Sequence, residues 1–87
     1  MIIELLNDIS WQIYNDKVYI IKEKIEKSYT FEGLGVEYWL NIVRIKDYDI
    51  IFNEIKKNHP ELNTDNIKTH FNNFLQSLKK FNIITTK

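Results

Sequence analysis

The sequence predicts an α+β, winged helix-turn-helix-like fold: an N-terminal three-stranded antiparallel sheet followed by three helices. Three observations lead there. Apolar residues alternate with period 2 between Ile9 and Phe31. The period changes to 3.6 at Glu32-Gly33-Leu34-Gly35, which holds both glycines of the chain. Beyond it, three amphipathic stretches follow one another through short polar connectors. The order is βββααα, and short connections make sequential elements neighbours in space.

Residues 1–8 are ambiguous, because so short an apolar run fits a strand or a single helical turn. Residues 9–14 alternate: Ile9, Trp11 and Ile13 share one face, and Ser10, Gln12 and Tyr14 the other. This is the half-buried strand pattern. Asn15-Asp16 tolerates the backbone of a tight hairpin. Residues 17–22 are β-branched and aromatic, as strands prefer. Val18 and Ile20 share one face, Tyr19 and Ile21 the other, so this strand belongs in the middle. A charged turn, Glu23 to Glu26, leads to the third strand, in which Tyr29 and Phe31 face one way and Ser28 and Thr30 the other. The first and third strands are therefore sheet edges.

Glycine at 33 and 35 permits φ > 0 and close backbone approach. The first helix is predicted over 36–44, with an inward stripe of Val36, Trp39, Leu40 and Val43. Asp47 is a candidate N-cap for a second helix over 48–58, with Ile51, Phe52 and Ile55 inward. His59-Pro60 ends it, since the residue before proline avoids the helical region. Asn63 or Thr64 caps a third helix running to about Phe81, with Asp65 suited to its first turn. Its stripe is Ile67, Phe71, Phe74, Leu75 and Leu78. Asn82 fits a left-handed cap, and Ile83-Ile84 packs back as a tail.

Eighty-seven residues predict one domain, residues 1–87. With 44% apolar and 28% charged residues, the chain carries enough apolar side chains to fold. Basic and acidic residues both number 12, and the only arginine is Arg44. That argues against nucleic acid, whose phosphates reward a basic excess. The absence of cysteine excludes disulfides, thiolate catalysis and cysteine-built zinc sites. Glu4 and Asp8 stand where a signal peptide carries positive charge. No window approaches the roughly 20 apolar residues of a membrane span. The expectation is a cytoplasmic protein.

Catalytic chemistry has no visible seat. His59 and His70 lack carboxylate or thiolate partners at ligand spacing, and Gly33-Leu34-Gly35 is too short for a nucleotide-binding fingerprint. Ser28, Thr30 and Ser77 have no obvious base, and the carboxylates are scattered. Neither enzyme activity nor a cofactor is expected. Trp39, Phe52, Phe71, Phe74 and Phe81 fit helix stripes. Tyr14, Tyr19 and Tyr29 fit either sheet packing or a binding surface.

The order βββααα, with Trp11-x-Ile13-Tyr14-Asn15-Asp16-Lys17-Val18-Tyr19-Ile20-Ile21-Lys22 leading into Tyr29-Thr30-Phe31-Glu32-Gly33-Leu34-Gly35-Val36-Glu37-Tyr38-Trp39, resembles the PqqD-like family. These are precursor-peptide recognition elements of ribosomally made, post-translationally modified peptide pathways. Gly35 to Trp39 matches the family's G-x-x-x-W helix start. Asp65, Phe71, Phe74, Leu75, Leu78 and Phe81-Asn82-Ile83-Ile84 match its C-terminal pattern, with Asn82 in place of the usual glycine. The break departs from the family's Asn-x-Thr/Ser-Gly. The similarity spans about residues 9–85.

The resemblance implies a stand-alone module that captures a precursor's leader peptide. The leader would add as a strand to the third strand, in the cleft beside the third helix. Main-chain bonds would come from Lys27, Ser28, Tyr29, Thr30 and Phe31. Side-chain pockets would come from Tyr29 and Phe31 and from Ile67, His70, Phe71 and Phe74; which of these helix residues face the cleft is open. The module would hand the precursor to a separate modifying enzyme or leader protease. An open strand edge also invites a homodimer. Two alternatives stand beside this: a winged-helix DNA-binding protein reading through 64–81, and a small protein-interaction adaptor or toxin–antitoxin component. The first is weakened because Lys79 and Lys80 lie at the far end of that helix.

Overall fold

The computed structural model describes residues 1–87. Its order is β1 (Ile3–Leu5), β2 (Ile9–Tyr14), β3 (Lys17–Lys22), β4 (Lys27–Phe31), α1 (Leu34–Arg44), α2 (Tyr48–Asn58), α3 (Thr64–Lys80) and β5 (Ile84–Thr86). The expected antiparallel sheet is β2-β3-β4 with β3 central, and the three helices follow it. Asn15 and Asp16 take φ of 52° and 61°, making a two-residue hairpin closed by Tyr14 and Lys17. Side-chain rows run Ile13–Val18–Phe31 and Trp11–Ile20–Tyr29 across the inner face. Val18 and Ile20 are fully buried there. Trp11 and Ile13 remain 36% and 44% exposed, so the inner face is covered less well at β2.

A second, two-stranded sheet joins the chain ends. Residues 3–5 pair antiparallel with residues 84–86. The N-terminal segment also binds the α1–α2 connector: Ile3 N–H donates to Lys46 C=O, and Tyr48 N–H to Met1 C=O. The sequence left 1–8 undecided and made 83–84 a tail. Each strand has only three residues, and each is defined by a partner some eighty residues away, so no local period marks it.

The helices begin and end as their caps dictate. Asp47 accepts from Ile50 N–H, and Asn63 from the N–H groups of Asp65 and Asn66. Asn82, with φ 57°, follows α3 in the left-handed conformation. α1 starts at Leu34, two residues before its predicted start, directly after Gly33. Its buried face is Gly35, Tyr38, Trp39 and Ile42, one residue round from the predicted stripe. Leu40 is 38% exposed, and Val36 and Val43 are half-buried. Apolar side chains cover most of this helix, so several stripes compete. Tyr38 wins a buried place because its hydroxyl is satisfied there, against His70.

The core collects Ile3, Val18, Ile20, Tyr38, Trp39, Ile42, Ile51, Ile55, Phe71, Leu78 and Ile83, each fully buried. Every named element except β2 and β4 supplies at least one residue to the wider buried cluster. No helix is long and apolar enough to cross a membrane.

His59, the C-cap of α2, links two helices. Its Nε2 lies 2.5 Å from Glu37 of α1, and its Nδ1 lies 3.4 Å from Glu61. The hydrogen bond to Glu37 raises His59 above its ordinary value of 6.5; partial burial opposes this, and the charges of Glu37 and Glu61 add to it. A raised folded-state value stabilises the fold fully below the ordinary value and is lost as pH rises through the raised one. The melting temperature should therefore fall as pH rises beyond the ordinary value of 6.5, and fall less in Glu37→Gln. Equal slopes for the two proteins by circular dichroism would remove His59–Glu37 as the cause.

Candidate peptide-binding groove

β4 pairs with β3 on one side and with nothing on the other. The direction of its backbone groups follows from the ladder. Glu23 N–H donates to Asp8 C=O, just beyond the last β2–β3 pair. Alternation along β3 then points Tyr19 and Ile21 at β2, and Val18, Ile20 and Lys22 at β4. Their β4 partners are Phe31, Tyr29 and Lys27. Ser28 and Thr30 therefore turn their N–H and C=O groups outward, away from the sheet. Both residues are exposed. Of the five strand residues that the sequence made a docking edge, two carry the free backbone groups. The other three are tied to β3.

The inner-face side chains of β4 lie along α3. Tyr29 stacks on Phe81, with centroids 4.6 Å apart. Phe31 meets Phe74 edge-on at 5.0 Å and Trp39 at 6.5 Å. Just past β4, Leu34 lines a cavity of about 200 Å³ with Tyr38, Leu62, Asn66, Ile67 and His70. The order of these contacts shows that β4 runs antiparallel to α3, from its C-terminal end toward its N-terminal turns. The result is a groove floored by Tyr29, Phe31, Phe74 and Phe81, with an apolar recess at one end. Those four residues are all half-buried.

α3 presents two adjacent stripes. Ile67, Phe71, Leu75 and Leu78 turn to the core. His70, Phe74 and Phe81 sit beside them at i, i+4 and i+11, toward β4. Of the helix residues proposed from sequence, His70 and Phe74 face the groove. Ile67 is 3% exposed and reaches only the recess. Phe71 is fully buried and meets Tyr38 and Tyr48 rather than open space. Phe81, Leu34, Tyr38, Leu62 and Asn66 were not singled out for this role. Phe81 was legible in principle, at seven residues from Phe74, but an aromatic on an apolar helix reads first as core.

Burial pushes the Tyr38 phenol above its ordinary value, and the charge of Glu37 adds to this, so it stays protonated. Its oxygen lies 2.7 Å from His70 Nδ1. The phenol and Nδ1 share one hydrogen bond, whose direction follows the imidazole tautomer. His70 is thereby fixed at the mouth of the recess. No group of three or more His, Asp or Glu side chains is arranged to hold a metal ion.

No protein-family model matches the chain, and no curated protein sequence does. Among solved structures, TbiB1 in complex with the TbiA(beta) leader peptide superposes with a TM-score of 0.87. The chain has the fold of TbiB1. The match covers 97% of this chain and 96% of TbiB1, at 12% sequence identity. TbiB1 thus shares the whole arrangement of sheet and helices with few of the side chains.

The two glycines beside the groove do different things. A Cβ at Gly35 would lie 3.2 Å from Phe31 Cβ and 3.3 Å from Phe74 Cε1, so α1 packs directly on the groove floor. Gly33 has φ +61° and ψ −135°, with nothing near its absent Cβ. Its requirement is backbone conformation alone. Gly33→Ala should therefore cost about 1–3 kcal/mol in urea denaturation. A loss of much less than 1 kcal/mol would show that the strand-to-helix turn does not need this glycine.

Proposed function

We propose that this chain binds the leader segment of a precursor peptide by strand addition to β4. The observation that carries the reading is the free edge at Ser28 and Thr30 beside a half-exposed aromatic groove, in a fold that TbiB1 shares. The resemblance of the sequence to PqqD-like recognition elements points the same way. An extended peptide would receive two donors and two acceptors from Ser28 and Thr30, each bond contributing about 0.5–1.5 kcal/mol net. Its alternate side chains would fall on Phe31, Phe74 and Phe81, with one at the recess formed by Leu34, Ile67 and His70. Lys27, Tyr29 and Phe31 hold the edge in register through β3 rather than bonding the peptide. Phe71 supports the groove from behind through Tyr38.

The module carries out no reaction of its own in this reading. It raises the local concentration of the precursor at a separate modifying enzyme or leader protease. Ordering a flexible leader offsets much of the gross gain, so a Kd on the order of 0.1–10 µM is expected.

Fluorescence polarisation with a labelled leader peptide, taken from a short open reading frame beside the gene, tests this. Binding should change little between about 50 and 500 mM salt, unlike phosphate-driven binding. Thr30→Pro removes an outward N–H without touching the β3 ladder and should weaken binding at least about tenfold. Tyr29→Pro would instead break a bond to β3. A folded Thr30→Pro protein that binds as tightly as wild type would sink strand addition at β4.

A further inference from the structure

The opposite edge of the same sheet is also open, and it has a different character. β2 pairs only with β3. The alternation that turns Ser28 and Thr30 outward on β4 turns Ile9, Trp11 and Ile13 outward on β2. The strand, Ile-Ser-Trp-Gln-Ile-Tyr, contains no charge, no proline and no glycine. It lacks the devices that ordinarily keep an edge from pairing with another chain. Its five residues after Ile9 are all exposed, including Trp11, Ile13 and Tyr14. Two carboxylates lie beside the strand, and both are engaged: Glu23 accepts a hydrogen bond from Ser10, and Asp8 faces the buried Lys22. The chain as a whole has zero formal net charge, so two copies approach without long-range repulsion.

We infer that β2 is a self-association edge, pairing antiparallel with β2 of a second copy about a two-fold axis at Trp11. The outward residues are spaced symmetrically about Trp11, so the edge is complementary to itself. Trp11 faces its own counterpart, and Ile9 faces Ile13 of the second copy. Each of these is a hydrogen-bonded pair, and each brings apolar side chains together on the inner face. No charged residue lies within the paired segment. The product is a continuous six-stranded sheet with the order β4-β3-β2-β2-β3-β4. Its five gaps of about 4.8 Å leave the two β4 edges roughly 24 Å apart and both free. The inference does not depend on what β4 binds.

Sedimentation velocity of the full chain between about 1 µM and 1 mM should show a reversible monomer–dimer equilibrium. Ile13→Lys should weaken the dimer at least about tenfold. Thr30→Pro, on the other edge, should leave it unchanged. Because the chain has no cysteine, a spin label at Tyr14→Cys gives an independent reading. Tyr14 of each copy lies three residues from the axis, so six residues at about 3.4 Å predict a backbone separation of roughly 20 Å. A monomer throughout the range would overturn the inference. So would a dimer that survives Ile13→Lys in a folded protein, one lost in Thr30→Pro, or an inter-label distance beyond about 40 Å.

Discussion

Phe31 is where the sheet, the first helix and the last helix meet. Its ring packs on Trp39 and Phe74, and its Cβ occupies the space that Gly35 leaves open. The backbone hydrogen bonds of the three-stranded sheet are internal to it, so side chains must fix its position on the helical layer. Interlocked aromatic rings do this, because any shift of β4 along α3 separates rings that now touch. Tyr29 on Phe81 adds a second lock at the other end of the strand. The width and direction of the groove are thus set before anything enters it. Under the proposed strand addition, preorganisation of this kind would lower the ordering cost of binding and leave it chiefly on the flexible partner.

The polar interior serves the same end at the far corner of the sheet. Lys22 lies on the inner face and is 5% exposed. Its Nζ donates to Asn82 C=O at 2.5 Å and lies 3.5 Å from Asp8. A buried charge gains little net stability even when paired, but removing one partner is costly. Its effect here is positional: the end of β3 is tied to the turn between α3 and β5. β5 in turn holds β1, and β1 holds the α1–α2 connector. One buried side-chain polar atom stays without a partner, the indole N–H of Trp39. Its desolvation costs about 1–3 kcal/mol. Placing a large flat ring between Trp11 and Phe31 outweighs that.

Element type and order were legible because the change from period 2 to period 3.6 is sharp and falls on two glycines. Asp47, Asn63 and Asn82 were legible as caps because their side-chain chemistry acts within a few residues. The rotation of α1 was not, since Val36, Trp39, Leu40 and Val43 form as regular a stripe as the one actually buried. What favours the buried face is long-range: the hydrogen bond between Tyr38 and His70, 32 apart in the chain, and the close approach of Gly35 to Phe31 and Phe74. The small β1–β5 sheet is hidden for the same reason. For the groove, the strand residues and His70 and Phe74 could be named, but not the split of α3 into two neighbouring stripes. Ile67 and Phe71 differ from Phe74 and Phe81 only by about one residue's rotation on the helix surface. That is within the uncertainty of any stripe drawn from apolar periodicity alone.

The two open edges offer an incoming strand different things. Both present unpaired backbone groups, which any extended chain can use and which therefore discriminate little. At β4, α3 runs alongside, so inward side chains of a strand added there would land on Phe74, Phe81 and the recess at His70. Those contacts depend on side-chain size and spacing, and a wrong sequence leaves rings uncovered or a recess unfilled. At β2, the one aromatic contact with the helical layer is Trp11 on Trp39. No helical wall follows the strand, so an added chain is judged mainly by whether it covers Trp11 and Ile13 with apolar groups of its own. A second β2 does so by symmetry, whereas a peptide rich in polar residues does not. Selection among peptide sequences by strand addition would thus require a helix beside the edge, and in this fold β4 is the edge that has one.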